Sequence, residues 1–332
     1  MKFHSLDRIV VHSGFSLNRI EATVTPSILA WACISLAGFA QAGQSRFQRR
    51  RFRRLRMGIA APLPKPALLV CVFIFLFIFL VGRNSAVAQG GPPYLTNDPG
   101  TPGNLDWEIN LGYIPYLYSD QSVSHTPDVD INFGVGDRIQ LTYENAWLRV
   151  QSPSKAAKFG LGQSNPGIKW RFFDHGESGL NISTFPQFFL DNPDDAVRRG
   201  ITPASQAFLL PVEFSGKLGP VDVNYEAGYL FVHKGPNGWL NGLVLGHDVT
   251  SRLEMDMELY NQGTFHPSGN QPTIDFGGRY KVRPSVILLF MAGRSLEATH
   301  NNQSYFLGYF GVQFLLGRKS RESDLPPPGE RD

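Results

Sequence analysis

Leu253-Glu254-Met255-Asp256-Met257-Glu258-Leu259-Tyr260 alternates apolar and polar side chains almost without interruption. Successive side chains of an extended chain point to opposite faces, so this octet makes one apolar face and one carboxylate face. A helical period would spread the same charges around every side, and the stretch therefore reads as a strand. Beyond the link Gly263–Pro272, residues Thr273–Lys281 turn Ile274, Phe276 and Tyr280 one way and Asp275, Arg279 and Lys281 the other. On its other flank, the short turn Asp248–Ser251 leads back to a strand at Trp239–His247.

Worked outward, the pattern predicts twelve strands. The first, Leu105–Tyr118, sets Trp107, Ile109, Leu111 and Tyr113 against Glu108, Asn110 and Gly112. The second (His125–Val135) and third (Arg138–Val150) form a hairpin about Gly136-Asp137. The fourth, Phe159–Phe173, contains Asn165-Pro166-Gly167, and because proline donates nothing to a ladder a bulge or late start is expected there. The fifth (Gly179–Leu190) and sixth (Gln206–Ser215) are less cleanly sorted; the seventh, Val221–Val232, again alternates. The eleventh, Ser285–Arg294, is apolar on both faces, and the twelfth spans Gln303–Leu316.

The links carry a second rhythm. Those after odd strands are long (Ser119–Ser124, Gln151–Lys158, Asp191–Ala204, Lys234–Gly238, Gly263–Pro272, Ser295–Asn302) and those after even strands short. Outer-membrane barrels have short periplasmic turns and longer outer loops. The expected fold is thus all-β, a transmembrane antiparallel β-barrel of about twelve strands in the bacterial outer membrane, with both ends in the periplasm. A soluble sandwich or lipocalin-like barrel is the competing reading. Strand length opposes it, as do aromatics such as Trp107, Tyr113, Trp147, Trp170 and Trp239 near strand ends, where membrane interfaces favour them.

An export signal precedes the strands. Ala67–Val81 is an unbroken apolar run after Lys65, followed by Ala86-Val87-Ala88, which predicts a signal peptide over 57–88 cleaved after Ala88. The run falls short of the roughly 20 residues of a membrane-spanning helix. Residues 1–56, with Arg46–Arg56 (RFQRRRFRRLR), read as an over-extended start or a charged leader. Before Gln89 there are 12 Lys/Arg and two acids, and after Ala88 19 Lys/Arg and 26 Asp/Glu, so the mature part is acidic and offers no case for nucleic acid. Both cysteines, Cys33 and Cys71, precede the cleavage site, which excludes a disulfide or thiolate site from the mature chain. Gly317–Asp332 is Pro-rich and charged, a disordered periplasmic tail by composition.

Gly91-Pro92-Pro93-Tyr94-Leu95-Thr96-Asn97-Asp98-Pro99 and the following Trp107-Glu108 resemble the opening of an exported family named for the meta-cleavage pathway of phenol degradation. Gly160-Leu161-Gly162, Gly167-Ile168-Lys169-Trp170-Arg171-Phe172, Glu258-Leu259-Tyr260, Gly277-Gly278 and Ala292-Gly293-Arg294 extend the resemblance over nearly all of 90–316. Asn165-Pro166 departs from the pattern. The resemblance implies an outer-membrane barrel admitting aromatic or hydrophobic compounds, and brings no catalytic residue with it.

The inward set expected from alternation is Glu144, Lys169, Arg171, Glu226, Glu254, Asp256, Glu258, Asp275, Arg279 and Lys281. Acids and bases facing each other across the lumen would form a charged ladder that filters solutes, or a salt-bridged interior. Gln89–Asn104, rich in Gly and Pro, starts at the periplasmic mouth and is long enough to enter the barrel as a plug carrying Tyr94 and Leu95. Tyr309–Leu316, with Gly311, Phe314 and Leu316, resembles the assembly signal by which outer-membrane proteins engage the barrel assembly machinery. His125, His175, His233, His247, His266 and His300 are scattered without ligand spacing, so no metal or cofactor is expected. His233, His247 and Ser251 are the candidates for a barrel hydrolase, a rival that no nucleophile motif supports. The expected function is passive transport of small hydrophobic or aromatic molecules by a monomer in contact with lipid. The alternative is a structural barrel whose loops, Asp191–Ala204 above all, bind a partner.

Overall fold

In a computed structural model that describes residues 90–317 except 177–178, 192–193, 266–269 and 297–305, the period-two sorting becomes a closed wall. Its segments are β1 (Trp107–Leu117), β2 (Ser122–Val135), β3 (Ile139–Gln151), β4 (Lys158–Leu161), β5 (Asn165–Asp174), β6 (Asn181–Thr184) and β7 (Gln187–Phe189). A short helix α1 (Asp194–Arg198) intervenes before β8 (Ala207–Leu218), β9 (Val221–Val232), β10 (Gly238–Asp248), β11 (Leu253–Thr264), β12 (Gln271–Arg283), β13 (Val286–Ser295) and β14 (Phe306–Leu316). The ladders are antiparallel and run between sequence neighbours. β4 and β5 together pair with β3, and β6 and β7 with β8, so fourteen segments make twelve wall strands. β1 pairs with β14 from Trp107↔Leu316 to Leu117↔Phe306, which closes the barrel.

Closure satisfies the backbone within the wall, the condition for crossing a bilayer. The side chains are sorted to match. Ile168 is 54% exposed and Phe310 63%, whereas Glu213, Glu226, Glu258 and Asp275 are fully enclosed. A soluble sandwich would reverse those positions. Apolar residues on the outside and carboxylates within are what lipid demands of a barrel.

Two wall strands are broken. The irregularity expected at Asn165-Pro166-Gly167 lies just before it, at 162–164, and Pro166 sits within β5 opposite Tyr143. The fifth predicted strand splits at Phe185-Pro186, where the Pro186 carbonyl accepts from the Ile168 amide. The first outer link is shorter than expected because β2 begins at Ser122. Links at the end holding both termini run from two to six residues, and those at the other end from four to seventeen, so the alternation is a tendency with overlap. Residues 1–89, on which the expected signal peptide and both cysteines fall, and the residues after Gly317 lie outside the described residues, as do His266 and His300.

Candidate functional site

The lumen is built in two layers. Along β1 the inward series runs Glu108, Asn110, Gly112, Ile114, Tyr116, from polar at the end where β1 begins, the expected periplasmic end, to apolar at the opposite end, the expected outer one. β3 repeats it with Gln140, Thr142, Glu144, Ala146, Leu148 and Val150, and β11 with Glu254, Asp256, Glu258 and Tyr260. β8 descends in the opposite order, from Ala207 and Leu209 to Glu213 and Ser215. The outer half thereby gathers two apolar clusters, one around Tyr116, Leu148, Val150, Leu307 and Tyr309, the other around Phe189, Leu209, Leu230, Leu240 and Tyr260. β13 departs from the gradient, with Ile287, Leu289 and Met291 buried along its length.

The segment before β1 lies inside the wall. Its irregular backbone, cut off from water, needs partners that a regular element would have supplied itself. Lumen side chains provide them. The Glu258 carboxylate accepts from the Leu95 amide at 3.1 Å, from the Thr96 amide at 2.6 Å and from the Thr96 hydroxyl. Glu226 accepts from the Asn97 amide at 2.8 Å and from its side-chain nitrogen. The Lys169 ammonium donates to the Asp98 carbonyl, and Arg279 donates to the carbonyls of Gly90 (3.0 Å) and Pro92 (2.9 Å). Tyr94 packs with its ring 5.9 Å from the Arg279 guanidinium, and burial raises its phenol well above the ordinary range. Gly242 gives the segment room, since a Cβ there would stand 1.9 Å from the Thr96 hydroxyl oxygen.

The ladder expected between β11 and β12 resolves into different rungs. Glu254 opposes Arg279, with 3.7 Å between their charged atoms, but Asp256 opposes Gly277 and Glu258 opposes Asp275. Arg171 sits toward the periplasmic rim, 3.1 Å from Asp174 and donating to the Asp137 carbonyl at 2.7 Å. Lys281 lies near the same rim, where β12 runs out into the 284–285 turn. Lys169 is buried, 3.7 Å from Glu213, with Phe185 beneath its ammonium at 4.8 Å. Glu144 lines a cavity beside the N-terminal segment, with Glu108, Asp128 and Asp130.

Alternation does not single out Glu213 as a lumen group, because Pro211 and Ser215 flank it on a strand whose faces are poorly sorted. Asp128 and His125, 2.6 Å apart, are both inward because the β2–β3 register shifts between them. His233 follows β9 at the outer end whereas Ser251 lies in a periplasmic turn, so the fold does not bring that pair together. His247 is buried, its Nδ1 2.9 Å from the Pro220 carbonyl. Among the described residues no three His, Asp or Glu side chains converge as metal ligands. Gly311, Phe314 and Leu316, the residues expected to form an assembly signal, face Gly112, Ile109 and Trp107, all on the closing seam.

No family model and no curated protein matches the sequence. Among solved structures, the chain is similar to an outer membrane channel from Pseudomonas putida F1 at 12% identity and a TM-score of 0.52, covering 69% of this chain and 100% of that one. A KdgM porin (9% identity, TM-score 0.44, 63% and 99% covered) and the translocator domain of the autotransporter NalP from Neisseria meningitidis (10%, 0.43, 75% and 95%) lie further off. The first of these likenesses bears on the fold, and agrees with the closed wall. The protein is a bacterial outer-membrane β-barrel.

Proposed function

We propose that the barrel is a passive channel for small hydrophobic or aromatic molecules, and that the segment 89–104 is its plug. The observation that carries this reading is the layered lumen. An ordinary porin keeps a polar, water-filled interior, whereas the outer half of this lumen is lined by Leu, Val, Phe and Tyr. A water-soluble solute would lose hydration there without compensation, and an apolar one would gain about 25 cal/mol for each Å² of its surface removed from water. Below that layer, hydrogen bonds to Glu226, Glu258, Lys169 and Arg279 hold the N-terminal segment across the path. A single closed wall suffices for such a channel, so the barrel acts as a monomer. Gly311, Phe314 and Leu316 serve its insertion by the assembly machinery.

The test is uptake by cells carrying the barrel in their outer membrane. N-phenyl-1-naphthylamine, whose fluorescence rises on reaching an apolar environment, is expected to enter faster than in cells without the barrel. Liposome swelling with a sugar of similar size is expected to stay at background. Equal naphthylamine uptake with and without the barrel would overturn the reading.

A further inference from the structure

One inward row crosses the closing seam. Gln313 of β14 opposes Asn110 of β1, Asn110 opposes Asp130 of β2, and Asp130 opposes Glu144 of β3. Directly opposed residues on neighbouring strands lie about 5 Å apart, so these four side chains form a polar rung inside the barrel. The rung is rich in acceptors. Asp130 takes hydrogen bonds on one oxygen from Asn110 and Asn132, both at 3.0 Å. Its other oxygen has no hydrogen-bond partner, and neither does the side-chain oxygen of Asn110 or of Gln313. The three residues are 9%, 1% and 2% exposed.

Asp130, Glu144 and Gln313 border a cavity of about 90 Å³, which Glu108 and Asp128 also line. Lys169 is the one basic side chain among the lining residues, and it is engaged by Asp98 and Glu213. Phe185, Phe189 and Tyr309 complete the wall on the apolar side. The volume corresponds to about three water molecules, room for a small head group and its first carbons. The carboxylates do not converge as ligands to a metal ion. Acceptors spread along a rung suit a donor group with several hydrogens.

We propose that this cavity is a subsite for a protonated amine borne on an apolar or aromatic body. An ammonium carries three donors and no acceptor, which matches the oxygens of Asp130, Glu144 and Gln313 on the cavity wall, and its charge offsets that of the buried carboxylates. The body rests against the aromatic wall. The inference builds on the reading of the lumen as a solute path, and selects cationic members from the apolar class that path takes.

The test uses the refolded mature chain, its closure verified by heat-shifted gel migration, and three ligands with one ring system: benzylammonium, benzyl alcohol and benzoate. Calorimetric titration is expected to show saturable binding of benzylammonium and none of the other two. Asp130→Asn, close in shape, is expected to weaken benzylammonium at least tenfold. Gln313→Leu, which removes a neutral acceptor, is expected to weaken it severalfold, and serves if Asp130→Asn fails to close. Equal binding of all three ligands, no binding, full affinity in a closed variant, or displacement by an equal concentration of potassium would each overturn the subsite. Naphthylamine uptake without benzylammonium binding overturns the subsite and leaves the channel reading standing. Binding without uptake supports the subsite and overturns the path.

Discussion

Thr96 shows how little space separates the N-terminal segment from the wall. Its hydroxyl reaches Glu258 only because Gly242 has no side chain. Gly242→Ala drives a methyl into that contact, an overpacking that costs about 1–3 kcal/mol, and the outward face of β10 is untouched. The variant is expected to keep its heat-shifted migration while single-channel current rises; unchanged current would mean that the segment stays seated by other means. The burial of Tyr94 and Leu95 is legible in the sequence, since an apolar pair in a Gly/Pro-rich segment has to be buried somewhere. Their anchors are not. Glu226 and Glu258 lie 129 and 162 residues away from the amides they accept from, and alternation shows that they face inward without showing what they meet.

The link between β7 and β8 is the element that departs most from a simple loop. It folds α1 and Ile201 back onto the outer mouth, with Ala196 and Ile201 buried in the same cluster as Leu148 and Val150. Gly160 of β4 makes room for Ile201, and Lys158 holds the loop by donating to the Arg199 carbonyl at 2.6 Å. Ile201→Ala removes that anchor at about 2–5 kcal/mol, spent on the loop because the wall does not depend on it. Cleavage by added protease within 191–206 is expected to accelerate, with the barrel still closed on the gel; an unchanged cleavage rate would show that Ile201 does not hold the loop. In the sequence the stretch Asp191–Ala204 was legible only as a long charged link. Its inward turn depends on Leu148, Val150 and Gly160 being collected at one mouth. The strand breaks at 162–164 and at Phe185-Pro186 were half legible, since a proline marks an irregularity but the pairing partner decides on which side of it the ladder yields.

At the scale of the whole barrel, the proposed plug and the charge of the lumen make one joint prediction. Removing residues 89–104 takes away the amide donors of Thr96 and Asn97 from Glu258 and Glu226 and opens the periplasmic half to water. Inward carboxylates there outnumber the buried bases Lys169 and Arg279. The deletion is expected to raise conductance and to make the current cation-selective, read as the reversal potential across a potassium chloride gradient. Unchanged conductance in a closed barrel would remove the plug from the account, and anion selectivity would remove the carboxylates. What the sequence by itself determined is the class of fold and the sense of each face, because period-two alternation and link length are local properties that every residue carries with it. The tertiary structure decided what meets inside: the N-terminal segment on Glu258, the loop on Gly160, and the rung from Gln313 through Asn110 to Asp130. Those contacts exist only once β14 pairs with β1, since closure sets the register around the wall and brings together side chains that no local pattern relates.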